Sequence, residues 1–288
     1  MEENMIKIIG SESRIGSNLG LGYASDLEGP EVSVKIKDFY ISKTAVSNRE
    51  FQNFVLETGY ITQAEEFGNS FVFDPTITAM KGSCCDTGIA WWKVVEGACW
   101  NKPQGPHGSL EGLLDHPVVH VTLKDALAYC EWAGLSLPTE LEWEYAARGG
   151  SQTIFPWGDE LVENGTFRSN NFQGVFPYNN LALDGFEATA PVESFPPNDY
   201  GLYQMIGNVW EWQCHRGGIP LSNLKDYYEG GNLEDIAIKD SQEYAAARGG
   251  SYLCHESYCN RYRVAARSSF KADTSSSNMG FRVMKRKQ

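Results

Sequence analysis

Positive charge is scarce in this chain: 24 Lys and Arg stand against 37 Asp and Glu, a formal net charge of −13 over 288 residues. Nucleic acids and anionic membranes reward clustered Lys and Arg, so neither is expected as a partner. The one basic run, Lys285 to Lys287, reads as a solvated end. Long apolar runs are missing too, and two acids precede the first lysine in MEENMIKIIG, so neither a transmembrane span nor a signal-peptide core is expected. A cytoplasmic, reducing location follows as the expectation, where thiols stay free, bind metal or catalyse. Histidine is sparse, at five, and His116 and His120 flank Pro-Val-Val, a strand or turn that does not bring both rings to one helix face. No phosphate loop, no G-x-S-x-G elbow and no dinucleotide fingerprint occurs.

What is present is globular: 42% hydrophobic and 12% aromatic residues, with 29 Gly and 12 Pro scattered rather than gathered into a linker. One domain over 1–288 is the reading, large enough to fold without disulfides. Three helices are signalled. Ser47 to Tyr60 opens on Ser47 and Glu50 and puts Phe51, Phe54 and Val55 on one face; Thr122 to Ala133 carries a stripe of Leu123, Leu127 and Cys130; Pro138 to Arg148 opens on Thr139 and Glu142. Strands are expected at Val32 to Ile41, Val118 to Val121, Arg261 to Ala266 and Gly280 to Val283. Between Gly149 and Gly250 almost no periodicity appears, yet tryptophans and tyrosines in segments such as SFPPNDYGLYQMIGNVWEW need something to pack against, which argues for ordered, irregular structure.

Seven cysteines make an odd count. Cys254 and Cys259, in RGGSYLCHESYCNRYRVAAR, are spaced so that two thiolates can converge on one soft ion such as Cu(I), close a disulfide, or simply be buried thiols. Arg261, Arg263 and Arg267 supply positive potential that lowers thiol pKa values. Cys84 and Cys85 are adjacent, which strains a mutual bridge, and Cys130 sits on a helix stripe, where core packing is expected. Asn170, Asn171, Asp184 and Glu211 lie among glycines and loop carbonyls, oxygen donors of the kind calcium takes, although the same residue types also make turns.

The pieces FYISKTAVSNREFQNFV, DHPVVHVTLKDALAYCEWAG, LPTELEWEYAARGG, FPWGDE, TAPVESFPPNDYGLYQMIGNVWEW and RGGSYLCHESYCNRYRVAARS, closing on SSSNMGFRV, resemble in order the formylglycine-generating enzymes, or sulfatase-modifying factors. The resemblance runs from about Ile36 to Val283, which sets the expected core at about 36–284. It implies an α+β single domain resembling the C-type lectin-like fold, poor in regular secondary structure. It also implies an activity: oxidation by O2 of the cysteine in a Cys-x-Pro-x-Arg segment of an unfolded sulfatase to Cα-formylglycine, by a monomer using copper. A noncatalytic lectin-like binding module is the alternative.

By position, the resemblance assigns Cys254 and Cys259 to Cu(I), and Ser251 and Asn278 to polar roles beside the reacting sulfur. Trp91, Asn69, Ser70 and His255 are assigned to substrate contacts. Calcium is implied at two sets: Asn170, Asn171, Asp184 and Phe186, and Gln204, Gly207, Val209 and Glu211, with carbonyls serving at 171, 186, 207 and 209. Departures accompany it. Gln204 replaces an asparagine ligand, Asn69 an aspartate and Ala45 an acid, while the disulfide positions of secreted relatives hold Ala147, Val264 and Val283, leaving Cys130 without a partner.

Overall fold

The computed structural model describes residues 4–74 and 91–287. Four helices begin alike: Ser47, Thr62, Thr122 and Thr139 each accept the backbone N–H three residues on, and Glu50, Glu65, Asp125 and Glu142 reach back to the cap N–H. Two donors that the first turn leaves open are satisfied at each start. The helices are α1 (Asn48–Thr58), α2 (Gln63–Phe67), α3 (Leu123–Ala133) and α4 (Glu140–Arg148), ended by Gly59, Gly68, Gly134 and Gly149. The fifth, α5 (Leu221–Gly230), follows Pro220 without a side-chain cap. α2 and α5 lie outside the three helices expected; α2 carries the capping signal but is too short to show a period.

On α3 the stripe shifts by one residue. Leu127 is 43% exposed, and the inner face is Leu123, Ala126, Tyr129 and Cys130. Tyr129 packs there with Phe51 and Phe54 of α1 and with Phe281, ring centroids 5.3–6.0 Å apart.

The strands are short. A three-stranded sheet joins β1 (Met5–Ile8), β4 (Phe39–Ser42) and β15 (Met284–Arg286), and so ties the two ends of the described chain together. β2 (Glu12–Ile15) pairs with β3 (Val32–Lys35), and β5 (Asn69–Phe73) with β6 (Trp92–Glu96). Two-residue ladders β7 (Val162–Glu163) with β8 (Thr166–Phe167), and β9 (Gly174–Val175) with β10 (Asn179–Asn180), punctuate the irregular stretch. A four-stranded sheet runs β13 (Ser268–Lys271), β12 (Tyr244–Arg248), β11 (Trp210–Arg216) and β14 (Met279–Gly280), with β11 and β14 parallel.

The strand expectations are corrected in four places. Val32 to Ile41 is two strands of different sheets, broken where Asp38 turns to accept the Gly10 N–H at 3.1 Å. Val118 to Val121 is not a strand: Val118 donates to Val46 and His120 to Ser276, and His120 adopts φ +60°. Arg261 to Ala266 is a turn, with Ala266 N–H returning to Arg263. Of Gly280 to Val283 only Gly280 lies in a strand, β14, and Phe281 to Val283 form the link to β15, with Arg282 buried in it. The core reaches back past Ile36, because Ile8, Ile15 and Val34 are buried in it. Fold class stands as read: an α+β domain with modest regular structure.

Candidate active site

Gly249 and Gly250 end β12 with φ +95° and +72°, and a Cβ at Gly250 would lie 2.8 Å from the Arg261 carbonyl oxygen. Only glycine lets the two backbones approach so closely. The approach sets Ser251 to Cys254 against Cys259 to Arg261. Within the first turn Cys254 N–H donates to the Ser251 carbonyl at 2.9 Å, and Ser251 N–H points at Cys254 Sγ at 3.4 Å. In the second, the His255 carbonyl gathers the N–H groups of Tyr258, Cys259 and Asn260 at 3.0, 2.9 and 3.2 Å. That turn brings Cys259 back to its partner. Both cysteines are buried free thiols, and both line a groove of about 900 Å³ with Ser251, Tyr258, Asn278 and Trp92.

The two thiols are pushed in opposite directions. Burial, and then its own hydrogen bond to Cys259, push the Cys254 thiol well up. Accepting that bond, with smaller help from Arg261, holds Cys259 below the usual thiol range. Ser251 Oγ already accepts from Asn278 Nδ2 at 2.9 Å and from Leu253 N–H at 3.3 Å, so its proton is left to donate. Asn278 is fixed in turn by the Ser276 hydroxyl at 2.8 Å.

Of the three arginines expected to bias the thiols, only Arg261 does so. Its guanidinium is forked onto Asp26 at 2.6 and 3.0 Å, with the Tyr23 ring 4.7 Å away. Arg263 is committed to Glu28 at 2.6 and 2.7 Å and Arg267 to Glu140 at 2.6 and 2.8 Å, both in buried pairs. Asp26 and Glu28 are site residues that sequence reading missed. The signal was an Asp-x-Glu that matches Arg-x-Arg at 261 and 263, 235 residues away.

An aromatic wall closes one side of the groove. Tyr258 stacks on Phe176 at 4.4 Å, and Trp91 stands edge-on to both at 5.1 and 5.3 Å, so it packs behind Tyr258 and is not itself part of the groove lining. The remaining substrate assignments lie differently. Asn69 begins β5 and spends its Nδ2 on the Phe67 carbonyl at 3.0 Å. Ser70 is buried, bonded to Ser275 Oγ at 2.7 Å and His120 Nδ1 at 2.8 Å, with no atom on the groove. His255 turns its ring to Ser257 at 2.8 Å, and its backbone carbonyl makes the Cys259 turn.

Each group assigned to calcium contains a buried amide oxygen with no hydrogen-bond partner, Asn170 Oδ1 in one and Gln204 Oε1 in the other. Such an oxygen is what a bound cation satisfies. In the first, Asp184 accepts from Phe186 N–H at 3.0 Å and Asn171 N–H at 3.1 Å, and Gln173 Nε2 donates to both Asp184 and the Asn171 carbonyl. In the second, Gly207 passes so near Asn170 that a Cβ would sit 2.3 Å from its carbonyl oxygen, and Val209 is buried. Glu211 there is already answered by Arg282, at 2.9–3.2 Å, and by Trp143 Nε1 at 2.6 Å.

The donor set at the cysteines fits a soft, low-coordinate ion: two sulfurs with an open side to the groove, and no cluster of three or more His, Cys, Asp or Glu among the described residues. Cys130 is buried and Cys214 half-buried, and desolvation pushes their thiols up to about 12 and about 11, which suits packing. Cys99 is also free and buried, and Cys84 and Cys85 lie outside the described residues.

Residues 1–287 match the family described as the sulfatase-modifying factor enzyme 1-like domain. The chain is 46% identical over 280 residues to the formylglycine-generating enzyme of Streptomyces coelicolor, covering 96% of this chain and 87% of that one. It is 39% identical to the inactive C-alpha-formylglycine-generating enzyme 2 of Bos taurus, covering 97% and 87%. Among solved structures, PvdO from Pseudomonas aeruginosa superposes with TM-score 0.67 at 25% identity, covering 98% and 94%. With its paired cysteines in place and its whole described length matched, the chain belongs to the formylglycine-generating enzyme, or sulfatase-modifying factor, family.

Proposed function

We propose that the chain is a copper-dependent oxidase that converts the cysteine of a Cys-x-Pro-x-Arg segment in unfolded sulfatases to Cα-formylglycine with O2. The observation that carries this is the buried Cys254 and Cys259 pair opening on a groove with Ser251 and Asn278. Relatives named as formylglycine-generating enzymes support it, at 46% identity for the one from Streptomyces coelicolor.

Cys254 and Cys259 would hold Cu(I), which supplies activation of O2 when bound. The chain's own residues do the rest. Cys259 Sγ, held below the usual thiol range by the Cys254 hydrogen bond, is the readier of the two to give up its proton, and Ser251 Oγ–H, with its acceptor sites filled, donates toward Cys254 Sγ. Asn278 keeps Ser251 in that orientation. Tyr258, backed by Phe176 and Trp91, keeps water from one side of the groove and gives the substrate proline a flat apolar surface. A cytoplasmic, reducing setting belongs to the same proposal, since Cu(I) needs both sulfurs reduced, and a monomer suffices because every site residue lies on one chain.

Calcium belongs to the proposal at Asn170, Asn171, Asp184 and Phe186, where no cationic side chain among the described residues is bonded to Asp184. A cation at Gln204, Gly207, Val209 and Glu211 would share Glu211 with Arg282.

The test is direct. Copper-loaded protein is incubated with a Cys-x-Pro-x-Arg peptide, O2 and a thiol reductant, because O2 takes more electrons than the substrate Cβ gives. Mass spectrometry is expected to show thiol replaced by aldehyde, and Cys254→Ser or Cys259→Ser to abolish it. No conversion, with peptide binding unchanged in both variants, establishes the noncatalytic binding module instead.

A further inference from the structure

A peptide whose last recognised residue is arginine needs an anion in the groove, and among the described residues that line it Asp273 is the one carboxylate. The two cations there are Arg261, locked onto Asp26, and Lys271. Lys271 does not neutralise Asp273. Its Nζ donates to Gln242 Oε1 at 3.2 Å, while Gln242 Nε2 donates to Asp273 Oδ2 at 2.5 Å, so the amide stands between the charges. Asp273 Oδ1 accepts no hydrogen bond from the described residues, and Gln242 is exposed and easily displaced.

Position fits as well. Phe71 N–H donates to the Ser275 carbonyl at 3.2 Å and Phe71 bridges Ser276 in parallel, a register that carries Asn69 toward Thr274. Asn69 offers an amide there, with its Nδ2 already used, and Asp273 offers the charge on the facing segment. Asp273 is five residues before Asn278, which stands beside the cysteines, so the two lie no more than about 18 Å apart. An extended peptide covers about 13 Å from its cysteine to the residue four positions on, and the arginine side chain adds the remaining reach.

We propose that Asp273 is the specificity residue that receives the substrate's arginine, forking its carboxylate onto the guanidinium as the Gln242 amide moves aside. This rests on the reading of a Cys-x-Pro-x-Arg substrate above.

The test needs no copper. Binding of a fluorescein-labelled Ser-x-Pro-x-Arg peptide to the full chain is measured by anisotropy, against a peptide with Gln in place of Arg. Wild type is expected to prefer the Arg peptide by about tenfold or more, the range of a charge-assisted pair. Asp273→Asn is expected to bring the two peptides level, and adding Asn69→Asp to that variant to restore the preference. If wild type binds and prefers Arg but Asp273→Asn keeps the preference, this assignment is overturned and the oxidase reading stands. Equal weakening of both peptides with a lowered thermal midpoint shows a merely structural aspartate and also overturns it. Failure of wild type to bind either peptide overturns the oxidase reading along with it.

Discussion

His120 is fully buried at φ +60°, with Nε2 3.0 Å from the Pro103 carbonyl and Nδ1 2.8 Å from Ser70 Oγ. A carbonyl only accepts, so Nε2 carries the proton and Ser70 donates to Nδ1. Burial pulls this imidazole down from 6.5 to about 4. Between those values the unfolded chain binds a proton that the folded one refuses, so stability is intact above pH 6.5 and falls as pH drops toward 4. About 3 kcal/mol is the expected total. Urea midpoints from pH 7 to 4.5 check it: His120→Asn is expected to be less stable at pH 7 and to lose less than wild type on acidification, and parallel losses would refute the assignment. The thiols divide on the same grounds. Cys130 and Cys214 are pushed far above neutrality, whereas Cys259 is held below its usual range and faces the groove. Iodoacetamide at pH 7.5 is therefore expected to label Cys259 before Cys130 or Cys214, read by peptide mass mapping. That 254 and 259 form the thiol pair was legible from their spacing; which of the two is held lower was not, because that depends on the hydrogen bond from Cys254, on burial and on an arginine held by Asp26.

At the scale of elements, α4 shows what periodicity can and cannot reveal. Its capping box, Thr139 with Glu142, is plain in the sequence and present in the fold, but all nine helical residues are buried, so no polar face marks it. Its acids are matched one by one. Glu140 pairs with Arg267 and Arg248, Glu144 with Arg148 and Arg248 at 2.6 Å each, and Glu142 with Arg286. Glu144→Gln leaves two buried guanidiniums short of charge and is expected to cost about 3 to 5 kcal/mol, whereas Glu163→Gln at the partly exposed pair with Arg168 is expected to cost under about 1 kcal/mol. Chemical denaturation of both variants checks the contrast; similar losses would mean the α4 network is not what holds the helix. β11 escaped the sequence for a related reason: the burial along Trp210–Arg216 barely alternates, because both faces are covered, and period 2 disappears.

For the whole molecule, the irregular stretch is held by side chains rather than ladders. Asn170, Asp184 and Asn208 tie loops together, with Asn208 Oδ1 accepting from Ala190 N–H at 2.9 Å. If calcium completes the Asn170 oxygen as proposed, removing it by chelation is expected to lower the thermal midpoint by several degrees, since a ligand at one hundred times its Kd contributes about 2.7 kcal/mol. Asn170→Ala should abolish that calcium dependence, and an unchanged midpoint in wild type would remove calcium from the proposal. Helix starts, the aromatic core stripe of α1 and the family itself were determined by local sequence, because a capping box or a thiol pair acts within a few residues of itself. Pairings between residues 235 apart, the sheet that joins the two ends of the described chain, the emptiness of Asn170 Oδ1 and the carboxylate of Asp273 in the groove were decided by tertiary structure alone, because desolvation and charge pairing depend on neighbours in space that no spacing along the chain records.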